Sequence, residues 1–220
     1  MTIIKACIFD LDGVIVDTAK YHYIAWKQLC NDEGFDFSEH DNEELKGISR
    51  VESLEILLNK GKITATPEQK NNMLQKKNNL YVSFISKMND TELLPGVVDF
   101  LKSCRLHNIK IVLGSASKNA RMILDKTNLT PYFDAIIDGN STSKSKPNPE
   151  VFLMGARAVG EQPENCVVFE DAIAGVEAAI SGGMKAIGIG EKKVLTQAHH
   201  VVTSLQEIKL IDILKNTYFN

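Results

Sequence analysis

The sequence predicts an α/β fold: a doubly wound parallel sheet core, Rossmann-like in layout, with an all-helical cap domain inserted after the first strand. Three observations predict it. Short apolar runs rich in β-formers recur along the chain, amphipathic helical patterns alternate with them, and one long strand-free stretch near the N-terminus breaks the alternation. Strands alternating with helices build a parallel sheet, because each connecting helix packs back over the sheet it leaves.

The first strand is expected over residues 3–9, Ile3-Ile4-Lys5-Ala6-Cys7-Ile8-Phe9, a short and mostly apolar run. Similar runs are Ile109-Lys110-Ile111-Val112-Leu113 and Cys166-Val167-Val168-Phe169, with shorter candidates at Ala135-Ile136-Ile137 and Ala186-Ile187-Gly188-Ile189. Helical patterns separate them at roughly 96–107, 118–127, 148–160 and 172–182. Asn148-Pro149-Glu150 predicts an N-cap with proline at the first helical position.

No strand is expected from about 17 to 92. Tyr21 to Cys30 is amphipathic, and Gly34 is placed to stop that helix. Ser49-Arg50-Val51-Glu52 predicts a capping box opening a helix that Gly61 ends. Thr66-Pro67-Glu68-Gln69 predicts a second box, with proline at N1, opening a long helix to about Lys87. Leu94-Pro95-Gly96 marks the return to the sheet. The expected division is 1–16 and 93–220 as the α/β core and 17–92 as the helical cap.

A chain of 220 residues can bury a proper core. A net charge of only −3 argues against non-specific nucleic-acid binding, which needs a strongly basic surface. Cys7, Cys30, Cys104 and Cys166 form no C-x-x-C pair, which predicts reduced, mostly buried thiols in a cytoplasmic protein. No signal peptide and no membrane span are expected. A nucleotide loop is not expected either: G-x-x-x-x-G-K-[ST] is missing, and Gly188-Ile189-Gly190 is too short a glycine signal.

Three candidate strands end in chemically useful residues: Asp10-Leu11-Asp12-Gly13, then Gly114-Ser115-Ala116-Ser117-Lys118-Asn119, then Glu170-Asp171. Ligands of open α/β sheets bind at the carboxyl ends of strands, so these segments are expected to converge, with Lys146 of Ser145-Lys146-Pro147 joining them. Asp10 and Asp171 could hold a Mg²⁺, a hard cation that takes oxygen ligands. Ser115 and nearby backbone N–H groups could bind phosphate oxygens, with Lys146 balancing charge. Asp10 would then face phosphorus in line, and Asp12 could act as general acid and base. Each feature has an ordinary alternative: a turn former, a helix N-cap, a solvated lysine, or acids favouring a helix dipole. All four in order at strand ends favour one site.

Phe9-Asp10-Leu11-Asp12-Gly13-Val14-Ile15-Val16-Asp17-Thr18 resembles the first motif of the haloacid dehalogenase-like superfamily, Ser115 its second, Lys146 its third and Glu170-Asp171 its fourth. The resemblance spans the chain, including the cap. It implies that Asp10 is the nucleophile that forms an aspartyl phosphate. Asp12 would give its backbone carbonyl to Mg²⁺ and its side chain to acid/base work, and Glu170 and Asp171 would complete the metal site. Leu45-Lys46-Gly47-Ile48-Ser49-Arg50-Val51-Glu52-Ser53-Leu54 resembles the substrate loop of the β-phosphoglucomutase family within that superfamily. So do the segments Thr18 to Trp26, Lys76-Lys77-Asn78 and Ser115 to Asn119. By that resemblance Arg50 and Lys77 would bind the phosphate not being transferred, and His22 and Thr18 would steer Asp12. Ser117, Lys118 and Asn119 would contact substrate from the core, and Trp26, Gly47, Ile48, Ser49, Ser53 and Ala116 would complete the substrate site. Ala172 stands where such proteins often have serine.

The implied reaction interconverts β-D-glucose 1-phosphate and D-glucose 6-phosphate, with a sugar bisphosphate as intermediate and activator. The implied partner is a small phosphosugar, with no nucleic acid and no membrane, and a monomer is expected. The alternatives are a Mg-dependent phosphatase of small phosphorylated metabolites on the same fold, and a non-catalytic phospho-accepting module. A phospho-acceptor needs neither the helical cap nor an Asp12-type acid/base.

Overall fold

A strand buried on both faces needs a near-continuous apolar sequence. In a computed structural model describing residues 3–219, β1 (Ala6–Phe9) and β4 (Cys166–Glu170) are fully buried. Met1, Thr2 and Asn220, at the ends of the expected core, lie outside the described residues. β1 pairs in parallel with β4 on one side and with β2 (Lys110–Gly114) on the other. Beyond β2 lies β3 (Ala135–Ile137); beyond β4 lie β5 (Lys185–Ile189) and β6 (His200–Val202). The order β3-β2-β1-β4-β5-β6 is parallel throughout and reverses direction between β1 and β4. A crevice opens there, at the carboxyl ends of the strands.

Successive strand residues point to opposite faces, so each strand feeds two cores. Phe9, Ile111 and Phe169 pack under α5 (Val97–Leu106), α6 (Ala120–Lys126) and α9 (Leu210–Leu214). Ile8, Val112 and Val168 pack under α7 (Glu150–Ala158) and α8 (Ile173–Ser181). Phe9 stacks on Phe169 with ring centroids 4.7 Å apart, just below the chemically active strand ends. Burying each such ring is worth roughly 1.5–3 kcal/mol, so the strand ends stand on a rigid base.

Between β1 and α5 run α1 (Ala19–Asp32), α2 (Glu39–Glu44), α3 (Arg50–Lys60) and α4 (Pro67–Ile85). These helices share an apolar cluster of their own, built on Trp26, Leu29, Phe37, Leu54, Leu57 and Met73. The seam is not clean: Ala25, Tyr81 and Ile85 join the cluster under the sheet.

Several local expectations need correction. β1 starts at Ala6 rather than Ile3, and α4 ends at Ile85 rather than Lys87. Asn148 is not the N-cap of α7: Pro149 holds that position and Glu150 is the first helical residue, while Asn148 Oδ1 accepts from the Glu150 N–H at 3.1 Å. The Thr66/Gln69 box is complete, but Ser49/Glu52 makes only half of one. Ser49 accepts from the Glu52 N–H, while the Glu52 carboxylate takes the Ser49 hydroxyl instead of its backbone N–H. Gly61 ends α3 with an ordinary φ of −73, and the left-handed turn falls on Lys62. All four cysteines are free and buried. Among the described residues no helix is long and apolar enough to cross a membrane.

Candidate active site

Asp10 leaves the end of β1, with its N–H donating to Phe169 O across the sheet at 3.0 Å. Glu170 ends the neighbouring strand, β4, and Asp171 follows it directly. Lys146, fully buried, reaches in and donates from Nζ to Asp10 Oδ1 and to Glu170 Oε1, both at 2.5 Å. Asp10, Glu170 and Asp171 each offer a carboxylate oxygen, and the three oxygens lie within 4.8 Å of one another. Glycine makes this packing possible. Gly13 has φ +80, and a Cβ there would sit 2.2 Å from Asp171 Oδ2. A Cβ on Gly175 would sit 1.8 Å from Glu170 Oε1. The carboxylates lie against bare backbone.

The electrostatics follow from this crowding. Burial, with the Glu170 charge adding to it and Lys146 opposing it, pushes the Asp10 carboxyl well above its usual range. Burial and then Glu170 push Asp171 up to about 7. Burial works to discharge Lys146, but Asp10 and Glu170 outweigh it and hold the ammonium above its ordinary value. The cluster therefore carries more acid than its buried lysine can neutralise. A hard divalent cation fits this all-oxygen donor set and would hold the acids ionised.

Asp12 sits outside that set. Its Oδ1 accepts the Thr18 hydroxyl proton and lies 3.9 Å from His22 Nε2. Burial holds the Asp12 carboxyl above its ordinary value, with the Thr18 bond opposing it only in part. His22 Nδ1 is 2.9 Å from Lys77 Nζ. Burial, Lys77 and Arg50 hold His22 well below its ordinary pKa, so its ring is neutral. An ammonium only donates, so Nδ1 accepts from Lys77 and Nε2 carries its proton toward Asp12. Lys77 is 2% exposed and lies between the rings of Trp26 and Tyr81, with Nζ 4.7 Å from each centroid. Burial and Arg50 bring it down to about 7, against the pull of Asp12. Arg50 Nη1 is buried with no hydrogen-bond partner.

One cavity of about 400 Å³ lies between sheet and helices. Of the predicted residues it is lined by Asp10, Asp12, His22, Trp26, Gly47, Ile48, Ser49, Arg50, Ser53, Lys77, Ala116, Ser117, Lys118, Asn119, Lys146 and Asp171. Thr18, Ser115 and Glu170 are fully buried and stand behind this wall rather than in it. Ser115 Oγ accepts from the Ser117 N–H at 3.1 Å, which shapes the loop after β2. Asn119 Nδ2 donates across the cavity to Asn78 Oδ1 on α4 at 3.0 Å. The sequence reading assigned no role to Lys46, Asn78 or Tyr81, all of which line the cavity. Lys46 pairs with Asp171 at 3.4 Å. Tyr81 was legible by helical spacing, one turn beyond Lys77 on the same face.

A fully parallel sheet with this acid–lysine cluster defines a class, and the chain belongs to it: the family model for haloacid dehalogenase-like hydrolases matches residues 4–183. More particular likenesses exist. The chain is 41% identical over 208 residues to the β-phosphoglucomutase of Bacillus subtilis (strain 168), spanning 94% of this chain and 92% of that one. The crystal structure of β-phosphoglucomutase from Clostridium difficile superposes with a TM-score of 0.94 at 43% identity, covering 98% of this chain and 97% of the other. A phosphorylated carbohydrates phosphatase of Thermotoga maritima is 28% identical, over 96% of this chain and 98% of that one.

Proposed function

We propose that the protein is an isomerase that interconverts β-D-glucose 1-phosphate and D-glucose 6-phosphate through an aspartyl phosphate and a glucose bisphosphate. The observation that carries this reading is the polarity of the cavity. Its sheet side offers carboxylates and Lys146, while its helical side offers Arg50 with an unpartnered Nη1 and Lys77 with no carboxylate against it. A hydrolase needs one phosphate site; a mutase that returns a bisphosphate needs two.

In this reading Asp10 attacks phosphorus, and its P–O bond forms as the bond to the donor oxygen breaks. Lys146 holds the Asp10 carboxylate in place and offsets charge on the phosphoryl group. Asp12 takes the proton from the accepting sugar hydroxyl, or returns one to a leaving oxygen. His22 and Thr18 fix its orientation. Arg50 suits a bidentate grip on the distal phosphate, with Lys77 as a point charge beside it. Asp10, Glu170, Asp171 and the Asp12 backbone carbonyl would hold Mg²⁺. Once bound, that ion supplies charge neutralisation on the phosphoryl oxygens. Ser117, Lys118 and Asn119 meet the substrate from the core side, and closure of the helices excludes water.

The cavity is complete within one chain, which suits a monomer, and four free buried thiols suit the cytoplasm. The test is to incubate the protein with Mg²⁺, β-glucose 1-phosphate and a trace of the bisphosphate and to follow phosphorus NMR. Appearance of glucose 6-phosphate supports the isomerase. Release of free phosphate alone replaces it with the phosphatase reading, which the Thermotoga relative favours.

A further inference from the structure

Two buried side-chain atoms among the described residues lack a hydrogen-bond partner, Arg50 Nη1 and the Tyr81 hydroxyl. The first belongs to the anion site above. The second is not explained by that site, and a buried donor left unmet is costly.

Tyr81 is 1% exposed, lies on α4 and lines the cavity. Its ring is clamped. One face meets His22, with centroids 4.2 Å apart, and the Lys77 ammonium lies 4.7 Å from the ring centre. A tyrosine oxygen lies on the axis of its ring, so ring rotation leaves it in place and only the O–H direction is free. Thr18 lies near enough to act on it as a hydrogen-bond partner, though not in bonding geometry, and the Asp12 charge reaches it. Burial and the Asp12 charge keep the phenol protonated, well above its ordinary pKa, so it enters as a donor. Thr18 is 0% exposed and its own proton is committed to Asp12, which leaves the oxygen lone pairs free to accept. Thr18 holds the N-cap position of α1, which packs along α4, the helix that carries Tyr81.

We propose that Tyr81 is a positioning residue for Asp12. On closure around a ligand its hydroxyl donates to Thr18 Oγ1, and the chain Tyr81–Thr18–Asp12 fixes the carboxylate for proton transfer. The proposal rests on Asp12 being the acid/base group.

The test is Tyr81→Phe, which keeps the ring and its stacking, set beside Thr18→Val and the double variant. Phosphosugar turnover is expected to fall about tenfold in kcat with KM unchanged, the loss of one hydrogen bond that aims a charged group. In Tyr81→Phe, phosphoryl transfer to Asp10 from p-nitrophenyl phosphate, whose leaving group needs no proton, is expected to keep the parent rate. The double variant should match Thr18→Val alone, because both substitutions cut one chain. A rise in KM with kcat intact assigns the hydroxyl to the sugar and overturns the proposal. So does an equal loss on p-nitrophenyl phosphate, or strict additivity with Thr18→Val. A parent that only releases phosphate breaks the isomerase reading instead, and the same comparisons then run on its phosphatase kcat.

Discussion

The two walls of the cavity treat charge in opposite ways. On the sheet side the buried acids already have partners: Lys146 bridges Asp10 and Glu170, and Lys46, reaching over from the loop before α3, leans on Asp171. On the helical side Arg50 Nη1 has none, and Lys77 rests on aromatic rings and a neutral imidazole. A paired wall is built to keep its arrangement while chemistry happens on it. An unpaired one lowers its energy only when an anion arrives, because buried charge without a counter-charge is costly. The walls therefore divide the work into reaction and recognition, and substitutions should separate the two.

The largest effect is expected on the paired wall. Asp10→Asn leaves the fold intact and lowers turnover by at least about 10⁴-fold, since an amide is a poor nucleophile; circular dichroism and the coupled glucose 6-phosphate assay read both. Residual activity well above that, with deamidation excluded by mass spectrometry, would remove Asp10 from its role. Asp12→Asn comes next, at about 10²–10⁴-fold in kcat. Its backbone carbonyl is unchanged, so metal titration by calorimetry should match the parent. Weakened metal binding in a folded variant would contradict the division between carbonyl and side chain.

Effects on the unpaired wall should be smaller and confined to recognition. Arg50→Ala is expected to cut mutase kcat/KM by about 10- to 100-fold, the value of a charge-assisted contact. Phosphorylation of Asp10 by acetyl phosphate should be spared, because that donor has no second phosphate. Parent-level mutase activity would show that the helices read no distal phosphate.

The smallest effect is a pH slope. Lys77, held at about 7, is charged below that pH and neutral above it. A phosphate monoester is dianionic above about pH 6. Binding of glucose 6-phosphate to Asp10→Asn protein should thus be tightest between those values and weaken above pH 7, by at most about tenfold per unit. Calorimetry in buffers of different ionisation enthalpy should show proton uptake on binding. Lys77→Arg, always charged, should flatten the slope, and an unchanged slope in that variant would place the titrating group elsewhere.

Much of the fold was legible because burial on both faces leaves an unbroken apolar signal in β1, β2 and β4. β6 escaped notice: three residues at a sheet edge, His200, Val201 and Val202, carry too little pattern. α2 has no apolar residue at all, Glu39 to Glu44, and is held by the Ser38/Asp41 capping box. That box was readable, with aspartate in the place usually taken by Glu or Gln. At the site, the strand-end acids announced themselves by position. Lys46 did not, because a lysine in a glycine loop is ordinary until the fold brings it to Asp171.

The helical segment leaves and rejoins the core side by side. Val16 and Leu93 form an antiparallel bridge, the Leu94 N–H donates to Ile15 O at 3.0 Å, and the Asp17 N–H donates to Glu92 O at 3.2 Å. Everything from Thr18 to Thr91 is thus an excursion whose two ends already touch. Topologically it is a long hairpin loop, and a tight turn could replace it without rerouting a single strand of the sheet. Both covalent links between the helices and the sheet therefore fall at one place rather than at two separated ones.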